Sequence, residues 1–359
     1  MDVPLFATSL EPYRERIAER LLDVAASGKF ILGPEVDAFE REFAGYLGVR
    51  HVVGVANGTD ALTIALRALG VGASDEVICP SLTFYATAEA VVNAGARPVF
   101  CDVDPETGCA TADTVRPLVG PRTKAIVPVH LFGNVAPVPE LGELGVPVLE
   151  DAAQAAGASL NGVKAGALGD AATFSFFPSK NLPCIGDGGA IATDSDEVAD
   201  RVRTLRFHGS RDKRTHSDVG YNSRLDSIQA AVLRVLLPEL DGWNAARREA
   251  ADAYERAGIA ELVAPLRPTA GAEHVHHLYV VRSERADELV AALGDRGIGA
   301  RAYYRTPAHR QAPMREYAGA ELPVTDELAR TILALPMGPE LSASAVAAVV
   351  EACGAGVAA

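Results

Sequence analysis

Three short segments of this chain carry side chains whose types and order suit covalent chemistry on a phosphorylated carbonyl compound. One holds Lys180, in Phe174-Ser175-Phe176-Phe177-Pro178-Ser179-Lys180-Asn181. A lysine just after an aromatic run and a proline turn is poorly explained as a surface charge. Among apolar side chains its amine loses solvation and its pKa falls, which makes it a nucleophile toward an aldehyde. A second segment, Val148-Leu149-Glu150-Asp151-Ala152-Ala153-Gln154, is an apolar strand ending in two acids before a helix-like stretch. Asp151 there fits an acid beside a ring nitrogen, and equally a helix cap or a magnesium ligand. Gln154 follows about one turn later. The third, Asn57-Gly58-Thr59-Asp60, lies between an apolar run and a helix. The free N–H groups and partial positive charge of a helix start suit a phosphate. Gly58 lets backbone approach closely and the Thr59 hydroxyl adds a donor, although these residue types also make a plain helix cap. Ser175, on the lysine's own strand, is a further phosphate donor.

An amine for an aldehyde, an acid for a ring nitrogen and a cradle for a phosphate are the anchors of pyridoxal phosphate (PLP). The acid keeps the pyridine protonated, so the ring withdraws electrons from a carbanion.

The elements that must position these groups alternate from residue 33 onward. Pro34 to Leu47 places Val36, Phe39, Phe43 and Leu47 on one helical face, with Gly48 as a stop. Apolar strand runs are expected at 51–56, 76–79, 97–102, 124–129, 146–149, 171–176 and 190–193, with helices at 59–69, 86–93, 112–118, 138–144 and 197–207. Such alternation predicts an α/β fold, a mainly parallel sheet sandwiched by helices. Near Pro238 the pattern changes to long helices at 225–237 and 240–257. A smaller α+β region follows, with runs at 278–282 and 300–304 and helices at 286–293, 326–333 and 343–353. The expected domains are 1–240, an N-terminal arm and large PLP-binding domain, and 241–359, a small C-terminal domain.

The 359 residues carry 33 Lys and Arg against 47 Asp and Glu, a formal charge of −14. That balance argues against a nucleic-acid or anionic-membrane surface, so a phosphate-bearing ligand must meet a local positive site. Between Arg201 and Arg224 there are seven Lys and Arg and two Asp. The stretch would draw a nucleotide diphosphate, or else it is a solvated, salt-bridged face. The five cysteines lack a C-x-x-C pair and read as buried thiols of a reducing cytoplasm. Neither a signal peptide nor a membrane span is expected. The histidines lack metal-ligand spacing, so no metal is expected.

In one order, these segments resemble the nucleotide-sugar aminotransferases of the DegT/StrS group, within the fold-type I PLP enzymes. The resemblance rests on NGTDAL at 57–62, SLTFYATAEA at 81–90, GARPVFCDVDPET at 95–107, EDAAQAAGA at 150–158, FSFFPSKN at 174–181, GDGGAIATD at 186–194 and YNSRLDSIQAAVL at 221–233. In the C-terminal region it extends to HHLYVVR at 276–282 and TPAHRQ at 306–311. It spans almost the whole chain. It implies Lys180 as the lysine that bonds PLP and moves a proton, and Asp151 as the partner of the ring nitrogen. Gln154 would lie near the ring oxygen and Phe84 would stack on the ring. Gly58, Thr59, Asp60 and Ser175 would surround the phosphate. Asn222 would reach the phosphate of the neighbouring subunit, making a homodimer with shared sites; its alternative is a cap for the helix near Leu225. Lys213, Arg214, Tyr304 and His309 are the candidates for the substrate side.

The implied activity moves an amino group from glutamate or glutamine to a keto group, C3 or C4, of a nucleotide-linked deoxysugar, with pyridoxamine phosphate as the half-reaction form. The alternatives are a cyclic ketone acceptor such as an inosose, or a PLP-binding regulator without turnover. The chain departs from the pattern at Pro183-Cys184 and at Tyr303-Tyr304-Arg305, both where the sugar is expected.

Overall fold

Strongly apolar five-residue runs need cover on both faces, and the chain supplies it with helices on either side of one sheet. The computed structural model describes residues 2–319 and 321–358. The sheet runs in the order His51–Val55, Gly189–Thr193, Ala171–Ser175, Leu149–Asp151, Thr123–Ile126, Glu76–Pro80 and Arg97–Cys101. Its two parts join through parallel bridges Ile126–Val148 and Val129–Asp151. Gly189–Thr193 runs antiparallel to both its neighbours and the other strands run parallel to one another. Those parallel strands therefore end on one edge, where Asn57, Ser175, Asp151 and Ser81 gather.

The two faces have separate cores. On one, Phe39 and Phe43 of helix Pro34–Leu47 pack with Phe174, Phe176 and Leu233. Phe43 meets Phe174 edge-on at 5.0 Å between ring centres. On the other, Leu62, Ile64 and Leu66 of helix Gly58–Ala68 pack with Val77, Val91 and Leu205. Fully burying side chains of this size stabilises by about 1.5–3 kcal/mol each, which anchors the elements that carry the site.

The C-terminal region has its own core, with Tyr254, Tyr279, Leu289, Leu293, Val346 and Val349 around an antiparallel sheet. That sheet runs Ala264–Pro265, Tyr279–Arg282, Ile332–Leu335. Val3 belongs to the same core, and parallel bridges tie Val3 to Ile298 and Phe6 to Met337. Asp102, at the end of strand Arg97–Cys101, caps helix Pro323–Thr331 from outside. Its carboxylate accepts from Val324 N at 3.0 Å and from Thr325 N and Oγ1 at 2.7 Å.

Four local expectations change. The alanine-rich stretch after Asp151 has helical composition but forms successive turns. Ala152 N–H bonds Thr173 O at 2.9 Å, Ala155 N–H closes on Ala152 O at 3.0 Å, and Gly157 turns with φ +88°. Asp151 is thus the last residue of a strand, Leu149–Asp151, and not a cap. The helix expected at 326–333 stops at Thr331, because the buried run Ile332–Leu335 pairs with Tyr279–Arg282. Residues 300–304 make only an isolated bridge, Arg301 to Ala334. The helix expected from Leu225 begins at Ser227 and is capped by Asp226, whose Oδ1 accepts from Gln229 N at 2.8 Å, so Asn222 is not its cap.

Candidate active site

Asp151 ends its strand beside Thr173 of strand Ala171–Ser175. It is buried, and its carboxylate accepts from Thr87 Oγ1 at 2.8 Å and from Ala153 N at 3.2 Å. Burial raises its pKa above the usual carboxylate value; Thr87, Ala153, Lys180 and His130 pull the other way. The adjacent acid, Glu150, turns to the opposite side of the strand and is fully buried. It takes N–H bonds from Gly166, Leu168 and Gly169, each at 2.8 Å, and lies 2.8 Å from His130 Nε2. His130 Nδ1 accepts from Ala136 N at 3.0 Å, which leaves Nε2 to carry the proton donated to Glu150. One acid is therefore consumed by structure and its neighbour is available for chemistry.

Lys180 closes a turn after strand Ala171–Ser175, its N–H bonding Phe177 O at 2.8 Å. Loss of solvation lowers its pKa to about 8, against a smaller opposing pull from Asp151. Asn181, next in the chain, is buried and locked. Its Nδ2 donates to Asn244 Oδ1 at 2.8 Å and to Val275 O at 3.0 Å, so its Oδ1 faces His277 Nδ1 at 3.2 Å. Burial holds His277 well below the usual histidine pKa, with Lys180's charge a further cause. The ring is thus neutral, with its proton on Nδ1.

At the phosphate end, Asn57 caps helix Gly58–Ala68, its Oδ1 accepting from Asp60 N at 2.8 Å. The phosphate and cap readings of this segment coexist, because the cap occupies the Asp60 amide and leaves those of Gly58 and Thr59 without an acceptor among the described residues. A Cβ on Gly58 would stand 2.8 Å from Ser175 Cβ and 3.4 Å from Ser175 Oγ, so only glycine keeps the space between helix end and strand end clear.

Gln154 lies between: its Oε1 accepts from Phe132 N at 2.7 Å and its Nε2 donates to Tyr304 Oη at 3.1 Å. Burial pushes the Tyr304 hydroxyl above its ordinary pKa. Phe84 is 57% exposed, with its ring centre 6.1 Å from that of Tyr304.

Other expected residues sit farther out. Asn222 is exposed, its Oδ1 accepting from Arg224, on a segment bridged to Phe207. Lys213 and Arg214 are exposed on the neighbouring loop, Lys213 Nζ standing 5.0 Å over the Phe207 ring. His309 is buried, with Nδ1 2.6 Å from Ser81 Oγ. Arg206, counted in the basic stretch, is buried instead, with Nη1 2.6 Å from Glu40 Oε1. Of the residues that depart from the pattern, Cys184 is fully buried and Arg305 pairs with Asp287 at 2.6 Å, while Tyr304 meets the site through Gln154. Thr87, His277 and Asn244 were not foreseen. Thr87 and His277 sit inside the matched runs ATAEA and HHLYVVR, while Asn244 is one polar residue in a long helix with nothing in its spacing to mark it.

PLP fits these residues. Paired amides beside Ser175 suit a phosphate, the buried Asp151 suits a ring nitrogen, and Lys180 is a desolvated amine within the same electrostatic reach. Among the described residues, no group of three His, Cys, Asp or Glu could hold a metal ion.

The family model of the DegT/DnrJ/EryC1/StrS aminotransferase family matches residues 12–353. The chain is 45% identical over 362 residues to the dTDP-3-amino-3,4,6-trideoxy-alpha-D-glucose transaminase of Streptomyces venezuelae, covering 98% of this chain and 94% of that protein. It is 43% identical over 362 residues to the pleiotropic regulatory protein of Geobacillus stearothermophilus, covering 98% and 97%. The solved structure of DesV from S. venezuelae matches with a TM-score of 0.96 at 41% identity, over 99% of this chain and 98% of that one.

Proposed function

The chain belongs to the DegT/DnrJ/EryC1/StrS aminotransferase family and is a PLP-dependent aminotransferase, and from this premise we propose that it aminates C3 of a nucleotide-linked keto-deoxysugar, with glutamate or glutamine as donor. The observation that carries the chemistry is the pairing of a desolvated Lys180 with a buried, doubly hydrogen-bonded Asp151 on one sheet edge. The choice of C3 follows the likeness to a transaminase whose product carries its amino group there. A regulator needs no amine lowered toward neutrality, so the regulatory relative is read as a close kin in sequence and not in role.

PLP, when bound, supplies an aldehyde and an electron-withdrawing ring. The Gly58 and Thr59 amides and Ser175 would hold its phosphate, Asp60 being excluded because its amide is taken by the Asn57 cap, while Asp151 would hold its ring nitrogen, Gln154 its ring oxygen and Phe84 would cover the ring face. With a pKa of about 8, Lys180 Nζ can hold or release a proton near neutral pH, as proton transfer at the substrate carbon requires. Lys213, Arg214 and Tyr304 face the nucleotide sugar, and His309 acts on that side through Ser81.

The working unit in this reading is a cytoplasmic homodimer, with five buried free thiols in keeping with a reducing compartment. Phe30, Ile31 and Ile185 are 48%, 56% and 46% exposed. They gather at the start of helix Ser227–Leu236: Ser227 N bonds Phe30 O at 2.9 Å, Ile31 bridges Asp226, and Ile185 N bonds Gln229 Oε1 at 3.0 Å. An apolar face at the start of the helix that follows Asn222 in the chain supports a two-fold contact that carries Asn222 into the partner's site. We propose the division into 1–240 and 241–359, with Val3 of the first unit packed in the core of the second.

The test is a half-reaction. Enzyme in the pyridoxamine phosphate form is offered nucleotide 3-keto-sugars, 4-keto-sugars and an inosose, and the visible spectrum is followed. It returns with a 3-keto-sugar. Return only with a 4-keto-sugar or an inosose, or with none of them, contradicts the proposal.

A further inference from the structure

We propose that Thr87, backed by Thr83, is a positioning residue that keeps Asp151 ionised and aimed at the cofactor's ring nitrogen. The inference rests on the aminotransferase reading and adds a residue to it. Thr87 lies in the first turn of helix Ala86–Asn93, 1% exposed, and Thr83 just before that helix is 2% exposed. Thr87 Oγ1 stands 2.8 Å from Asp151 Oδ2 and 2.9 Å from Thr83 Oγ1. A hydroxyl has one hydrogen, and an ionised carboxylate only accepts. Thr87 must therefore give its hydrogen to Asp151 and take one from Thr83, so the chain points one way. Such chains strengthen each link, and in a buried site an unmade link costs more than in water. The other carboxylate oxygen accepts from Ala153 N at 3.2 Å, a donor that cannot reverse.

The charged and titratable groups around Asp151 give Thr87 its weight. Burial works against the carboxylate, and Thr87 is the strongest of the opposing influences. Lys180 and His130 help less. The proton on His130 Nε2 is already committed to Glu150. Cys79, on strand Glu76–Pro80, is pushed up to about 12, and Tyr304 is raised too, so neither competes as an anion. The contribution from Lys180 vanishes whenever its amine is neutral. The hydroxyl pair remains.

Thr87→Val keeps the shape and removes the hydrogen. In cofactor-free protein labelled with carboxyl-13C aspartate, the Asp151 resonance is assigned by its loss in Asp151→Asn and titrated with pH. Thr87→Val raises the midpoint by about one unit, since a hydrogen bond to the charged form is what lowers a carboxyl pKa. A raised midpoint leaves Asp151 protonated at higher pH, so the acid limb of kcat moves up as well. At neutral pH kcat falls about tenfold while KM for the keto-sugar holds, as expected of an interaction made in the transition state. Thr87→Ser restores both, and Thr83→Val shifts the midpoint the same way by less. An unmoved midpoint in folded Thr87→Val, or a failure of Thr87→Ser to restore it, overturns the proposal. Should Thr87→Val not fold, Thr83→Val decides it: no shift there overturns the one-way chain. The titration uses no substrate, so its outcome is separate from that of the half-reaction.

Discussion

On the inner wall of the site, Asp151, Gln154 and Asn181 are buried and bound by their own chain, whereas Phe84, Asn222, Lys213 and Arg214 on the rim are exposed and bound to little. Asp151 takes two donors, Gln154 is fixed at both ends by Phe132 and Tyr304, and Asn181 is fixed by Asn244, Val275 and His277. Among the described residues, the Asn222 side chain bonds only Arg224, two residues away. A wall of this kind is preorganised before any ligand arrives, so its orienting groups cost no further ordering during reaction. Under the proposed function the rim would gain its order from what docks on it, a nucleotide sugar or a second subunit. In the proposed reading the groups around Asp151 are thus set by one folded chain, whereas Phe84, Asn222 and the substrate-side residues would take their final places only when ligand and partner meet the rim.

The largest effect expected from changing one wall group by a single atom type is at Asp151. Asp151→Asn keeps PLP bound through the phosphate contacts but slows transamination by roughly a hundredfold or more, because the amide cannot hold the ring nitrogen protonated. Near-normal turnover in folded Asp151→Asn would break the distinction between wall and rim.

A mixing experiment sharpens it. Lys180→Ala and Asn222→Ala are each inactive alone. After subunit exchange, each heterodimer has one site with both native residues and recovers part of the activity. Continued inactivity, once exchange is verified by mass spectrometry, would show that Asn222 serves its own chain.

The smallest effects belong to Lys213 and Arg214. Replacing either by alanine raises KM for the nucleotide sugar about two- to fivefold, more at low salt, and leaves kcat alone, as expected for an exposed charge that steers a ligand. A fall in kcat with unchanged KM would move these residues from the rim to the wall.

The sequence made the wall legible, and physical reasons explain where reading stopped. Lys180 and the Asn57–Asp60 turn each follow a buried strand and Asp151 ends one, and a parallel sheet must bring such strand ends to one edge. Thr87 donates to a residue 64 positions away, and Asn244 reaches Asn181 across 63, distances at which no local pattern exists. The run after Asp151 reads as helix because alanine favours helices, but Thr173 O takes the Ala152 N–H and bends the chain into turns. In the basic stretch, a count of charges cannot tell Arg206, buried on Glu40, from the exposed Arg214.

We propose that Lys180, half-buried at the end of its turn, carries the cofactor, and borohydride reduction of the PLP-loaded enzyme followed by peptide mapping is the direct check. A single phosphopyridoxyl label, on Lys180, is expected. A label on any other lysine, or none on the peptide containing Phe174–Asn181, would contradict it.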